Sequence, residues 1–223
     1  MKSKHLLALI AVFLFTFAGF AQDNPKTETP VPPPAKLTAK DYEELVAKLK
    51  AGDTNIDYKR LRLAYTETKG YSYSGPDKAE REKFFKPFND KNYKDALKEA
   101  EKYLEKMYVD ANAHYVAYTS AKELKDDKKA EFHKAVLLGL LNSIKDGNDG
   151  LSEKTPYLVI SIDEEYTMLR FLGLQRGSQG LLNKDGHTFD VLTATDPKTS
   201  QTVKIYFNID IVWAAETKMF GGK

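Results

Sequence analysis

The hydrophobic period of this chain changes once, near residue 150, and that change sets what it can fold into. From Thr38 to Ile144 apolar side chains recur every three to four residues, the spacing of one helix face. Beyond Pro156 they recur every second residue, the spacing of one strand face. A helical run followed by a strand run implies an α+β fold.

The helical part has internal order. Tyr42, Leu45, Val46 and Leu49 share a stripe that Gly52 closes, so the first helix is expected over 38–51. A second, over 56–68, places Tyr58, Leu61 and Tyr65 inward before KGYSYSGPD breaks it, and Asp77 restarts helix. Further on, Ala96, Leu97, Ala100, Tyr103, Leu104 and Met107 lie on one face. Shifting the chain by 34 residues lays Ala96 on Ala130, Tyr103 on Leu137, Leu104 on Leu138 and Met107 on Leu141. That offset is the period of tetratricopeptide helix pairs. No third copy follows Ala130. About three such units are needed to bury a continuous core. The array of antiparallel pairs must therefore be closed by something else.

The closing element begins after the turn-rich joint KDGNDGLSEKTP. Residues 157–162 form a compact β-branched run, expected as a buried strand. Residues 163–172 read as one short helix, with Ser161 and Glu164 spaced as a capping box and a strand as the alternative. Val203, Ile205, Phe207, Ile209 and Ile211 alternate with Lys204, Tyr206, Asn208 and Asp210. Together with 188–195 and 179–182, joined through Asp185-Gly186, this gives a three-strand antiparallel meander with one apolar face to be covered.

Four segments follow: a leader at 1–21, a Pro-rich linker at 22–37, the helical region at 38–145, and an α+β region at 146–223 packed on the helices. The leader combines Lys2 and Lys4 with an apolar run from Leu6 to Phe20 and small residues up to Ala21. It is expected to be a cleaved signal peptide, since the run is shorter than the roughly 20 residues a spanning helix needs; a retained anchor is the alternative. Export to the periplasm or the medium follows. The absence of cysteine excludes disulfides, thiol catalysis and a lipidated cysteine, so no membrane anchor is expected after cleavage. Residues 23–36 hold five prolines and read as an extended spacer or a tail without a task.

The formal charge of +2 equals the contribution of Lys2 and Lys4, so the remainder is balanced. Lysines alternate with glutamates in Lys98, Glu99, Glu101, Lys102, Glu105 and Lys106, the pattern of a solvated helix face. No nucleic-acid partner is expected.

The segments IDYKRLRLAYTET, YKDALKEAEKYL, DGNDGLSEKTPYLVISIDEEY, HTFDVL and VKIYFNID resemble an uncharacterised bacterial family, domain of unknown function 4919, over roughly Tyr42 to Ile211. The resemblance implies an exported protein of about this length. It supplies no activity, cofactor or catalytic residue.

Candidate chemistry is sparse. His114, His133 and Glu131 could meet across neighbouring helices as metal ligands, but no HExxH accompanies them, and hydrogen-bonded helix histidines are the expectation. Neither a metal nor any other cofactor is therefore expected. His187, Asp190, Glu164 and Glu165 could supply acid and base groups, although a strand sends 187 and 190 to opposite faces. Glu164 and Glu165 also suit the first turn of a helix, where carboxylates favour the dipole. GSQG lacks the spacing of a nucleophile elbow, and GNDG lacks the register of a calcium loop. Binding is expected to fall on Tyr71 and Tyr73 in their Gly-rich loop, or on Tyr206 and Asn208 of the polar sheet face. The functional expectation is an exported, non-catalytic binding or scaffold module contacting a protein or peptide. An envelope-polymer hydrolase using C-terminal carboxylates such as Glu165 and Asp190 is the alternative.

Overall fold

The computed structural model describes residues 36–221; the expected leader and the Pro-rich segment up to residue 35 lie outside them. Six helices come first: α1 (Ala39–Lys50), α2 (Tyr58–Tyr65), α3 (Lys78–Asn89), α4 (Tyr93–Leu104), α5 (Ala111–Glu123) and α6 (Asp127–Lys145). Each begins after a short polar side chain. Thr38, Asp57, Asp77, Asn92, Asp110 and Asp126 accept bonds from first-turn N–H groups that would otherwise lack a partner. Thr38 and Asp41 complete a reciprocal box, with the Thr38 N–H donating to Asp41 Oδ2 at 2.8 Å.

Helix α1 packs on α2, α3 to α6 pack each on the next, and α2 reaches across to α6. The close approach follows from side-chain size, because Ala96, Ala100, Ala113, Ala117 and Ala121 are fully buried at the contacts. Between α2 and α6 only glycine fits at 139, where a Cβ would lie 2.3 Å from the Tyr58 ring.

The layer is closed by β1 (Tyr157–Leu158), α7 (Ile162–Phe171), β2 (Gln175–Lys184), β3 (His187–Thr195), β4 (Thr202–Asn208) and α8 (Asp210–Phe220). Strands β2, β3 and β4 form the expected antiparallel meander, turned at Asp185 and Gly186 with φ of 53° and 83°. Strand β1 joins β4 in parallel, so the order is β1-β4-β3-β2 and the sheet is mixed rather than purely antiparallel.

Three boundaries differ from expectation. The 157–162 strand contracts to two residues because the Ile160 N–H is taken by the Glu164 carboxylate at 2.8 Å and Ile162 already starts α7. The strand expected through Ile211 stops at Asn208, whose side-chain oxygen accepts the Asp210 N–H at 3.1 Å and starts an unforeseen helix, α8. Finally, β2 is ten residues long rather than four.

One hydrophobic core runs from Leu49 and Leu61 through Val116, Leu140 and Ile144 to Met168, Leu192, Ile205 and Phe207. On the sheet, Leu192 and Ala194 pair with Ile205 and Val203 in its inward row. Asp190, paired with Phe207, occupies the same row and is the one acid in it.

Candidate functional site

The helical layer meets α7 across buried charges. Arg62 is fully buried on α2, and its Nε and Nη2 donate to both oxygens of Glu164 at 2.8 and 2.5 Å. Nη2 also donates to the Leu158 carbonyl at 2.8 Å. Arg81 grips Asp110 at 2.9 Å through two bonds and Asp163 at 2.6 and 2.7 Å. Those two carboxylates hold the guanidinium well above its ordinary pKa, against burial. Ser161 makes no side-chain cap bond, so the expected capping box is absent; Glu164 is engaged with Arg62 and the Ile160 N–H instead.

Tyr71 and Tyr73 belong to this seam. The Tyr71 hydroxyl donates to the Ile160 carbonyl at 2.7 Å, and its ring stands edge-on to Tyr65. Burial pushes the phenol up to about 12. The Tyr73 carbonyl accepts the Ile162 N–H at 2.9 Å. Both rings are partly buried against the core rather than displayed as open platforms. A cavity of about 20 Å³ between Tyr71, Arg81, Asp110 and Asp163 has room for a single water.

A second buried cluster joins α7 to the sheet. Glu165 is fully buried, and neither of its oxygens faces a hydrogen-bond donor when both it and Asp190 are ionised. Burial first, then the neighbouring Asp190 charge, push Glu165 up to about 9. Asp190 is also raised by burial, although Gln179 donates to its Oδ2 at 2.7 Å. The two titrations are linked: the Asp190 charge raises Glu165, while Glu165 opposes the rise of Asp190. Beside the pair, the Tyr166 hydroxyl donates to Gln179 at 3.4 Å, and the Arg176 guanidinium lies 4.4 Å from the Tyr166 ring centre. The structure thus brings together the two carboxyl groups that the hydrolase alternative needs, and buries one of them completely.

A wide concavity lies in the helical part. An open groove of about 1000 Å³ runs between the end of α1, α4 and the start of α6. Ala51, Phe132 and Ala135 present apolar surface over the buried Leu49, Leu104 and Tyr108, and lysines and acids form its rim. Glu101 accepts two bonds from Lys129 Nζ, at 2.7 and 2.9 Å, and its Oε1 lies 3.6 Å from His133 Nε2. His133 and the Lys129 ammonium hold Glu101 below the usual carboxylate range, against burial.

The two helix histidines do meet. His114 Nδ1 and His133 Nδ1 are 3.0 Å apart, and His114 Nε2 lies 3.0 Å from the Tyr108 carbonyl oxygen. A ring-to-ring hydrogen bond leaves no space for a metal between them. Among the described residues no three ligating side chains gather to hold one. Complete burial, reinforced by His133, pushes His114 down to about 3, so it is neutral.

The remaining candidates are local. His187 Nδ1 pairs with Asp210 at 2.6 Å rather than with Asp190. Asn208 donates to Asp210 Oδ2 at 3.1 Å and so serves the start of α8. Tyr206 is half-buried on β4, and its N–H donates to the Gly150 carbonyl at 2.8 Å. In the glycine joint, Asp149 Oδ1 accepts from the Leu151 N–H and the Thr155 hydroxyl, so that loop is held by its own bonds. Tyr71, Tyr73, Tyr206 and Asn208 are therefore not gathered into one site: the first pair sits at the α7 seam and the second on β4.

Sequence reasoning missed Arg62, Glu101 and Lys129. Arg62 was legible, since it falls four residues after Tyr58 and beside Leu61, on the inward side of α2. Glu101 was not, because its neighbours Lys98, Lys102 and Glu105 are exposed as a solvated face predicts. Among the described residues no helix is long and apolar enough to cross a membrane. No curated protein and no solved structure matches the chain. The family described as "Domain of unknown function (DUF4919)" matches residues 36–218, and the chain belongs to it.

Proposed function

We propose that this protein is an exported, non-catalytic binding module that takes a polypeptide segment into the groove between α1, α4 and α6. The observation that carries the reading is the groove itself: about 1000 Å³ and open to solvent, with apolar surface at Ala51, Phe132 and Ala135 and a rim of both charge signs. That size is at the upper end of ordinary ligand sites, and the mixed rim suits a chain with its own polar backbone and varied side chains. Export rests on the leader, Lys2 and Lys4 followed by the Leu6 to Phe20 run.

Peptides selected from a random display library on the folded protein test it. They should bind the wild type and lose binding to Ala51→Trp, which fills the groove from an exposed lining position. Retained binding to Ala51→Trp, with loss on Lys204→Glu, would move the site to the polar sheet face of Tyr206 and defeat the groove reading. A C-terminal reporter fusion whose exported form begins at Gln22 supports the address; one that still carries Met1 defeats the cleaved leader.

The Glu165 and Asp190 pair favours a second reading, an envelope-polymer hydrolase with Glu165 as its raised-pKa acid. It requires the packing around Glu165 to open, since Glu165 is fully buried. Turnover of purified envelope polymer by the wild type that Glu165→Gln abolishes would replace the first reading with the second.

A further inference from the structure

We propose that strand β2 pairs with β2 of a second copy of this chain, antiparallel and centred on Leu181, so that two sheets join edge to edge in a symmetric dimer. No β2 residue lines the groove, so the proposal stands apart from the binding reading above.

β2 ends the order β1-β4-β3-β2, which leaves one of its edges without a neighbouring strand among the described residues. Nine of its ten residues are exposed. An edge of that length is an open template for another strand unless a charge, a proline or a bulge interrupts it. Here the interruptions sit at the ends: the register shifts between Arg176 and Gln179, and Lys184 closes the other side. From Gln179 to Asn183 there is neither charge nor proline. The direction of the free backbone groups follows from Thr188, which faces Asn183. Its carbonyl accepts the Ile209 N–H at 3.0 Å and its N–H donates to Asp210 at 2.8 Å, so neither serves β2. Asn183 therefore turns its own N–H and C=O away from β3, and by the alternation of an antiparallel ladder Leu181 and Gln179 do the same. No other backbone group takes these three N–H and three C=O groups among the described residues.

The register follows from the same groups. A two-fold axis through the joined sheet keeps the core-facing rows of both copies on one side, so a residue faces one of its own row. Centred on Leu181, the pairing sets Leu181 opposite Leu181, Gln179 opposite Asn183 and Gly180 opposite Leu182. Every outward N–H then meets an outward C=O of the other copy. Lys184 falls opposite Ser178, so no like charges meet. Centred on Gly180 instead, the pairing would set Lys184 against Arg176. Centred on Leu182, it would carry Gln179 past the strand end to the turn residue Asp185. The Leu181 side chain supplies the apolar part. It lies in the core-facing row with Asp190 yet is 51% exposed, and facing its own copy covers that surface. A contact of one strand edge is smaller than a standard stable interface, so the dimer forms at high concentration.

Sedimentation of the full folded chain from about 10 μM to about 1 mM tests the pairing. The mass should climb towards twice that of one chain and stop there, because a contact that uses the same patch on both copies closes at two. Leu181→Lys sets two ammonium groups face to face and should weaken the dimer about tenfold or more. Its melting temperature at low concentration should match the wild type, since Leu181 is half exposed in the single copy. Crosslinking reads the register in a chain that has no cysteine of its own. Leu181→Cys brings two thiols onto facing residues about 5.5 Å apart between Cα atoms, within disulfide reach, and should oxidise to a covalent dimer. Leu182→Cys, which faces Gly180 of the other copy, should stay largely uncrosslinked. A wild type that keeps the mass of one chain at about 1 mM overturns the proposal. So does a dimer that Leu181→Lys leaves intact, which places the contact elsewhere, and so does faster crosslinking at 182 than at 181, which refutes the register.

Discussion

Glu165→Gln should make the protein more stable, and increasingly so as the pH rises. Glu165 is completely buried, lies beside Asp190, and has no donor for either oxygen. Its folded pKa is raised from 4.5 to about 9, by burial first and the Asp190 charge second; Glu164 adds to this and Arg176 opposes it. For a group raised on folding, the stabilising contribution is present in full below the unfolded pKa and is lost as the pH climbs towards the folded one. Each pH unit in that window is worth up to about 1.4 kcal/mol. At pH about 7.5 the wild type has therefore forfeited up to about 4 kcal/mol relative to its stability near pH 4.5, a large part of an ordinary domain's margin. Asp190 is itself raised, so the titration belongs to the pair and the figure is an upper bound.

Glutamine keeps the shape, needs no proton, and brings an amide that donates to Asp190. Urea unfolding of both proteins across pH about 5 to 9 isolates the effect, because the other titrating groups cancel in the difference. The two should be similar at the acid end, with the variant ahead by about 2 to 4 kcal/mol near pH 8. A difference that is constant across the range would refute the raised Glu165 pKa. So would a variant that is less stable at every pH.

Two further outcomes test the packing. Arg62→Ala should cost about 3 to 5 kcal/mol in denaturant unfolding, because Glu164 stays buried without its partner, and adding Glu164→Gln should recover part of the loss. Phe207→Ala should cost about 3 to 5 kcal/mol and Lys204→Ala about 0.5 kcal/mol or less, since Phe207 is fully buried and Lys204 exposed on the opposite sheet face; equal melting-temperature losses would contradict the two-faced strand.

How much of this was legible depended on whether the signal was local. Helix starts were, because a cap is a contact between residues two or three apart: Asp57 with Arg60, Asp77 with Ala79, Asn92 with Asp95. The β4 row was, because alternation is local too. The same alternation hid α8, since Ile209 and Ile211 continue the period of two past the point where Asn208 turns the chain. Strand β2 was half hidden by its composition, QRGSQGLLNK, which is polar because nine of its ten residues are exposed. Glu165 and Asp190 were each visible as acids, but their meeting is a packing event between α7 and β3. Glu164 shows the same limit from the other side: its spacing from Ser161 fits a cap, and a partner 102 residues away takes it instead.

The seam and the groove divide the labour of the helical layer. Towards α7 the layer presents Arg62, Arg81 and Asn112, matched by Glu164, by Asp163, and by Thr167 with Arg170, while Asp110 holds Arg81 from within the layer. Buried pairs of this kind add little net stability over apolar packing, yet they penalise any docking that leaves one member unmatched. A two-copy helix array needs such a partner, because it cannot bury its own face. Specific pairing with α7 supplies the third layer that a third repeat would otherwise provide. The groove side, formed by the end of α1, α4 and the start of α6, remains uncovered by the sheet. Its chemistry differs accordingly: the Lys129 and Glu101 charges there are half-exposed, and His133 Nε2 lies 3.6 Å from the Glu101 carboxylate.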